Sequence, residues 1–489
     1  MTDTLMVGVS GVRGIVGKDL TPDVVTQWAR GFGLWLREGT SVGGPGPSTS
    51  AVIGRDARTS GPMFAAAVTA GLTSVGCDVI DIGLVPTPTV QLAVEHHRVG
   101  GGIAITASHN PIEWNALKFI GPDGIFLDGT DGARVAQLAA AIPGSGKRNT
   151  QQDTATVAGH VTADPDAVER HLASVLRLPA VDVPAIRARQ FTVALDAVRG
   201  AGGPVMRALL ERLGCEVAGI NLETDGQFPR PPEPVPENLG GLSTLVTRAG
   251  AALGIAVDPD VDRLAIVDET GTAIGEDYTL AFAVRAVLDG MRDALKDSLA
   301  VAGNGMRRVV VCNLSTSLVV EDAARDCGAE VVRTPVGEVH VARTIVRLGA
   351  VIGGEGNGGV MYPALHAGRD APVAASLLLT LLARDGRRVS ELVAAAPRYA
   401  IVKAKVDRGP RTAERGLEDV YAALRRRFPD ASADTQDGLR LAWRDRWLHV
   451  RPSNTEPIIR LIAEAPSGAG GGGGAQELVD EARRICAAS

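Results

Sequence analysis

The sequence predicts an α/β protein of four domains around a central cleft: three related mixed α/β sheet domains, then a C-terminal α+β domain. Three observations predict it. A strand, helix, strand, helix, strand pattern occurs three times, and in each copy a helix stops at a glycine before a short β-branched strand. Each copy ends its last strand in a cluster of polar residues. From about residue 395 the pattern changes to strands with a helix near each end.

In the first copy, Ala51-Val52-Ile53-Gly54 precedes a helix over about 60–74, then Gly76-Cys77-Asp78-Val79-Ile80. In the second, Phe191-Thr192-Val193-Ala194-Leu195 precedes a helix over about 202–213, then Gly214-Cys215-Glu216-Val217. In the third, Val309-Val310-Val311-Cys312 precedes a helix over about 316–326, then Gly328-Ala329-Glu330-Val331-Val332. Glycine suits the left-handed position that ends a helix. A further strand follows in each copy: Gly102–Ile105, Leu253–Val257 and Ala350–Ile352. Strands alternating with helices imply a mostly parallel sheet with helices on its faces. Ligands then bind outside the carboxyl ends of the strands, where all three polar clusters fall. Generic α/β patterning would give the same similarity without common ancestry, and it would leave the loops in the same places.

The last stretch reads as strand 401–406, a helix over about 411–427, strands near 439–441, 447–450 and 458–463, and a final helix over about 475–487. Ser41 to Ser50 and Ser467 to Gly474 are rich in Gly, Pro and Ser and read as solvated loops.

A chain of 489 residues exceeds one hydrophobic core. A net charge of −6 favours neither nucleic acid nor an acidic membrane surface. No apolar run reaches the length of a membrane span, and Met1-Thr2-Asp3-Thr4 lacks the start of a signal peptide. A cytoplasmic address is expected. The five cysteines form no CxxC pair, so buried, reduced thiols are expected rather than a zinc site.

The first cluster is Thr106-Ala107-Ser108-His109-Asn110-Pro111. A serine hydrolase would need a GxSxG elbow, which is absent here. A serine that accepts and returns a phosphoryl group fits better, because it needs positioning and charge neutralisation more than a triad. An ordinary Ser-containing turn would look alike. The second cluster, Asp258-Pro259-Asp260-Val261-Asp262-Arg263, offers three carboxylates from one short loop, which suits a hard cation such as Mg2+. A calcium loop needs glycine at its sixth position, where Arg263 stands, although Glu269 falls at the twelfth. A solvated acidic turn is the alternative. Arg263 could clamp a phosphate beside the metal.

In Gly354-Glu355-Gly356-Asn357-Gly358-Gly359, glycines let backbone approach a ligand, and Glu355 and Asn357 could bind sugar hydroxyls. A Gly-rich surface turn would read the same. In the fourth cluster, Arg451, Ser453, Asn454 and Thr455 bring a guanidinium, two hydroxyls and an amide, a donor set for a phosphate dianion. A capped turn is the alternative. Arg13, in a Gly-rich loop, and Lys118 could surround a transferring phosphoryl group or be surface cations.

With these four loops in this order, the chain resembles the α-D-phosphohexomutase superfamily of phosphoglucomutases, phosphomannomutases and phosphoglucosamine mutases. The resemblance runs from about Val7 to Ala463. It implies domains at 1–157 (phosphoserine loop), 158–270 (metal loop), 271–388 (sugar loop) and 389–489 (phosphate loop). It implies that Ser108 is the phosphoserine and that Ser108, Asp258, Asp260 and Asp262 together bind Mg2+. Arg13, Lys118 and Arg263 would steady the phosphoryl group, with His109 and Lys118 as candidates for acid/base help. Glu355 and Asn357 would read the sugar. Gly337 and Glu338, within Thr334-Pro335-Val336-Gly337-Glu338, resemble a further sugar-facing loop. Arg451, Ser453, Asn454 and Thr455 would grip the substrate's other phosphate.

The implied reaction interconverts hexose 6-phosphate and hexose 1-phosphate through a hexose 1,6-bisphosphate. A mobile fourth domain hinged near 385–395 would close the cleft around a small phosphosugar. No nucleic-acid or membrane partner is implied, and the protein is expected to be a monomer or homodimer. Many members carry Ser and a terminal His or Gly in the sugar loop. The loop here is closest to those of archaeal-style members, with Gly356 in place of an acidic residue. Glucosamine 6-phosphate is the expected substrate, with phosphomannomutase/phosphoglucomutase activity the rival. A metal-dependent sugar phosphatase is the alternative from another class.

Overall fold

The computed structural model describes residues 5–39, 49–141, 158–297, 308–407, 417–453, 458–467 and 473–488. Its first sheet contains β1 (Met6–Gly8), β2 (Gly11–Ile15), β3 (Ser50–Arg55), β4 (Asp78–Leu84), β5 (Gly101–Ile105), β6 (Trp114–Ile120) and β7 (Val161–Ala163). Their order is β1-β2-β6-β5-β3-β4-β7. The second sheet contains β8 (Thr192–Asp196), β9 (Glu216–Ile220), β10 (Leu253–Val257) and β11 (Leu264–Asp268), in the order β11-β10-β8-β9. The third contains β12 (Val309–Asn313), β13 (Glu330–Thr334), β14 (Ile352–Glu355) and β15 (Gly359–Met361), in the order β13-β12-β14-β15.

The three sheets share one device. A parallel core ends in a strand that turns back on itself: β5 into β6, β10 into β11 and β14 into β15 are antiparallel pairs. Each polar cluster occupies that turn, so the sheets are mixed and the chemistry-bearing loops are short and pinned at both ends. The returning strands also place side chains. β2 pairs with β6 so that Arg13 lies opposite Ala116 and Gly11 opposite Lys118. Opposite and alternate residues share a face, which puts Arg13 and Lys118 on the same face of the sheet.

The fourth sheet is antiparallel throughout: β16 (Tyr399–Asp407), β17 (Ser432–Asp434), β18 (Leu439–Ala442), β19 (Trp447–Pro452) and β20 (Ile458–Pro466), in the order β16-β20-β19-β18-β17. The helix expected over 411–427 is seen at Glu418–Arg427, with 408–416 outside the described residues.

The second and third sheets share a single apolar core, which runs from Leu172 to Leu392. The helix Ala371–Asp385 lies within it, with every residue from Ala371 to Leu382 buried. Its sequence is apolar all round, as a core helix must be. Its two hydroxyls are satisfied locally: Ser376 donates to the Pro372 carbonyl at 2.9 Å and Thr380 to the Ser376 carbonyl at 2.8 Å. Asp370 caps its start by accepting the Val373 N–H, and Gly386 ends it at φ 83.

One expectation from sequence needs correcting. The 157/158 boundary assigns β7 to the second domain, yet Val161–Ala163 hydrogen-bonds to β4 as the edge of the first sheet. Within 385–395, Val389–Ala395 forms a helix whose Val389 and Leu392 are fully buried in the central core. Among the described residues, no helix is long and apolar enough to cross a membrane.

Candidate functional site

Ser108 stands at the turn from β5 to β6 with φ 47, a left-handed conformation that costs a non-glycine residue about 1–3 kcal/mol. A buried scaffold holds it there. Its N–H donates to Thr106 Oγ1 at 2.9 Å, and Thr106 Oγ1 donates to Asp56 at 2.6 Å. Arg58, with no solvent exposure, donates to the carbonyls of Ser108, Asn110, Pro111 and Trp114 at 2.6–2.8 Å and pairs with Asp56 at 3.2 Å. The exposed tip of the loop is thus fixed by a guanidinium from below.

Ser108 Oγ donates to Asp258 Oδ2 at 2.7 Å, which joins the first domain to the second. Asp258, Asp260 and Asp262 are all buried, and their ligand oxygens lie within 4.8 Å of one another. Asp258 Oδ1 accepts the N–H groups of Asp262 and Arg263. Asp260 Oδ2 accepts Lys118 Nζ and Thr87 Oγ1, both at 2.7 Å. Asp260 Oδ1 and Asp262 Oδ1 are buried and accept no hydrogen bond. Unpartnered buried carboxylate oxygens are costly, and a hard oxygen-binding cation is the group that would satisfy them. Burial and the charges of Asp262 and Asp260 push the Asp258 carboxyl well above its usual range. The residues fit Mg2+.

Cations surround the same point. Lys118, also 3.6 Å from Asp262, is held charged: burial opposes its charge, but Asp260 and Asp262 outweigh it and raise its pKa. Arg13 donates to Asn110 Oδ1 at 2.8 Å, and burial together with Arg263 lowers its pKa. Arg263 Nε has no hydrogen-bond partner and lies 3.7 Å from Asp262. Arg263, burial and Arg13 depress His109 to about 2, so its imidazole is neutral. Its Nδ1 is 3.4 Å from Ser108 Oγ, and Glu233 approaches His109 Nε2 at 4.0 Å and Arg263 at 3.5 Å. Mutually repelling cations over a serine hydroxyl make a site for a polyanion.

The third loop joins through Arg369, which donates to Asp262 at 2.6 Å and to Glu355 at 2.9 Å and pairs with Glu338 at 3.0 Å. Glu355 also accepts Asn313 Nδ2 at 2.8 Å and the Gly337 N–H at 3.2 Å. Asn357 Oδ1 accepts the Gly359 N–H at 3.2 Å, and its Nδ2 lies 3.5 Å from Glu355. Gly337, at φ 132, holds a backbone conformation that other residues rarely adopt. The fourth loop joins at Asp437, whose Oδ2 accepts the Val336 N–H at 3.1 Å and lies 3.3 Å from Arg451 Nε. Ser453 donates its N–H to the Ile458 carbonyl at 2.9 Å. Asn454 and Thr455 lie outside the described residues. The four loops therefore form one polar chain through Ser108–Asp258, Asp262–Arg369–Glu355 and Val336–Asp437–Arg451.

Sequence reading missed Arg58, Thr87, Arg369, Asn313 and Asp437. Only Arg369 carried a local signal: Gly368-Arg369-Asp370-Ala371-Pro372 reads as a capped helix start with a cation at its mouth.

The descriptions of the phosphoglucomutase/phosphomannomutase family match in chain order: alpha/beta/alpha domain I over residues 4–143, domain II over 169–271, domain III over 291–399 and the C-terminal domain over 401–481. The sequence is 37% identical over 461 residues to a protein of Methanopyrus kandleri named "Probable phosphoglucosamine mutase", covering 94% of each chain. It is 36% identical over 468 residues to a phosphoglucomutase/phosphomannomutase of Thermococcus kodakarensis, again covering 94% of each. The crystal structure of a phosphoglucomutase/phosphomannomutase family protein from Burkholderia thailandensis superposes with a TM-score of 0.80 at 26% identity, covering 98% of this chain and 97% of the other.

Proposed function

This chain belongs to the phosphoglucomutase/phosphomannomutase family, and from that premise we propose that it is a phosphohexomutase that converts glucosamine 6-phosphate to glucosamine 1-phosphate. Ser108 Oγ carries the phosphoryl group. The free hydroxyl of the hexose monophosphate attacks phosphorus, the bond to Ser108 Oγ breaks, and a hexose 1,6-bisphosphate forms. The bisphosphate turns over in the cleft, and Ser108 Oγ then takes the phosphoryl group from the other position. His109 becomes the acceptor for the attacking hydroxyl's proton once the phosphoryl dianion offsets the cations that depress it, and cationic Lys118 stabilises charge on the phosphoryl oxygens. Arg13 and Arg263 do the same.

Mg2+ held by Asp258, Asp260 and Asp262, next to Ser108 Oγ, would neutralise charge on the transferring group. Arg451 and Ser453, with Asn454 and Thr455, grip the phosphate that is not reacting. A fixed anion grip at one end lets both orientations of the sugar bind alike. Glu338, at the helix start after Gly337, and Glu355 and Asn357, in the turn from β14 to β15, face the sugar hydroxyls.

The observation that carries this reading is Ser108 Oγ, 2.7 Å from Asp258 in a cage with two unpartnered carboxylate oxygens and a ring of cations. The rival is phosphomannomutase/phosphoglucomutase activity, favoured by the nearly equal identity of the Thermococcus kodakarensis protein. A mutase assay with Mg2+ and catalytic hexose 1,6-bisphosphate decides, run on glucosamine 6-phosphate, mannose 1-phosphate and glucose 1-phosphate with Ser108→Ala as control. A dominant Ser108-dependent rate on the amino sugar supports the assignment. Faster turnover of mannose or glucose phosphate moves the protein to the rival. Release of inorganic phosphate without interconversion overturns the mutase and leaves a phosphatase.

A further inference from the structure

Arg369 is the link between the three-aspartate loop and the sugar loop. Its side chain is 8% exposed, and its nitrogens face three different carboxylates: Nη2 faces Asp262, Nη1 faces Glu355 and Nε faces Glu338. Burial opposes its charge, but Asp262, Glu338 and Glu355 outweigh that and raise its pKa well above the usual range. Asp262 is thereby turned so that Oδ2 takes the guanidinium and Oδ1 is left for the cage. Glu355 is turned by four donors, of which Arg369 is the cationic one.

The backbone that carries the guanidinium is held. The main-chain N–H of Arg369 donates to Glu338 at 3.3 Å, and the next residue, Asp370, accepts His171 at 2.9 Å and His366 at 3.0 Å in a fully buried cluster. The preceding Gly368 packs so tightly on Gln91 that a Cβ would lie 2.4 Å from its Oε1. The side chain also fills a particular volume. A Cβ on Gly359, the last residue of the sugar loop, would lie 2.2 Å from Arg369 Cδ and 2.9 Å from Cγ. Gly359 has an ordinary φ, so space rather than backbone conformation demands glycine there.

We propose that Arg369 is a positioning residue that couples the cation cage to sugar recognition, and that Gly359 is its required counterpart because the arginine occupies the volume a side chain at 359 would fill. Occupancy of the cage at Asp262 and engagement of hydroxyls by Glu338 and Glu355 are then felt by one guanidinium. For the sugar, this rests on the phosphohexomutase reading; for the cation, it does not.

The test uses the full-length, dephosphorylated protein, Arg369→Lys, which keeps a charge but not the three-way fork, and Gly359→Ala, which keeps the arginine but displaces it. Mn2+ binding is followed by electron paramagnetic resonance, without sugar and then with glucosamine 6-phosphate, and steady-state kinetics are run separately. Wild type is expected to bind Mn2+ about fivefold or more tighter with the sugar phosphate present. Both variants are expected to bind Mn2+ alone more weakly, to lose that enhancement, and to raise KM about tenfold or more while kcat falls less.

Wild-type Mn2+ affinity, enhancement and KM in both variants, with only a lowered melting temperature, would make Arg369 a structural ion pair and overturn the proposal. If one variant fails to fold, the other decides. No enhancement in wild-type protein that does turn over the sugar overturns the coupling whatever the variants do. The Mn2+ arm without sugar separates the two readings: weaker binding in the variants of a protein that interconverts no hexose phosphate supports Arg369's hold on the cage and sinks only the mutase assignment.

Discussion

Replacing Arg58 by lysine keeps a buried positive charge beside Asp56 and removes the fork that holds the Ser108 loop. In the native protein this guanidinium serves four carbonyls at once, at 2.6–2.8 Å. A lysine ammonium has three donors on one atom and cannot span carbonyls spread from Ser108 to Trp114. Losing two charge-assisted bonds of about 1.5–3 kcal/mol each, partly replaced by water, gives a loss of about 3 kcal/mol. For a domain of this size that is roughly 6–12 °C in Tm. The left-handed Ser108 would then relax towards an ordinary conformation, and displacement of about 1 Å at a reacting atom costs on the order of 100-fold in rate. The sugar and phosphate contacts lie in other domains, so KM should change little. Steady-state kinetics and thermal melts of Arg58→Lys check both numbers. A kcat within about threefold of wild type, in a protein with the expected loss of Tm, would show that the scaffold below the loop does not position Ser108 and would refute the reasoning.

Three further outcomes follow from the same structure. His109, depressed to about 2 by Arg263, burial and Arg13, should show no NMR titration between pH 8 and 5 in the dephosphorylated protein, and a midpoint near 6.5 would contradict the cationic surroundings assigned to it. Asp277 is raised to about 7, chiefly by burial, so the folded protein keeps a proton that the unfolded chain loses near 4, and stability falls as pH rises between those values. Asp277→Asn keeps an acceptor for the Ser317 N–H without the charge. Its Tm advantage over wild type should therefore grow from pH 5 to pH 8, by roughly 2 °C or more, and an equal difference at both pH values would rule this out. Burial pushes the thiols of Cys77, Cys327 and Cys486 to about 11 and that of Cys215 to about 12, and Cys312 is also raised. A disulfide-exchange reagent at pH 8 should therefore react slowly with native protein and quickly with all five thiols in denaturant; rapid native reaction of two or more would contradict the burial.

What sequence could deliver depended on how locally the chemistry is written. Ser108 and the three aspartates sit in contiguous runs just past strand ends, so their place at a loop and their company were both legible. The repeat was legible because helices stop at Gly76, Gly214 and Gly328 before a β-branched strand. The residues that orient the site were not. Arg58 acts on carbonyls, which carry no sequence signature, and Arg369 reaches Asp262 across 107 positions of chain. His109 read as an acid or a base, and only its distance from Arg263 and Arg13 fixes it as neutral. Domain limits blurred for a related reason. The 271–388 unit shares a core with its predecessor, and β7 crosses back to the first sheet, because burial follows packing partners rather than chain order.

The central claim is that Ser108 Oγ carries a phosphoryl group between two positions of one sugar. Dephosphorylated protein with Mg2+ would be incubated with hexose 1,6-bisphosphate labelled with 32P, the labelled peptide mapped, and the label then chased with unlabelled hexose monophosphate. The account predicts stoichiometric label on Ser108 that leaves in a hexose bisphosphate, and no label in Ser108→Ala. Label on another residue, or label that leaves Ser108 only as inorganic phosphate, would contradict it.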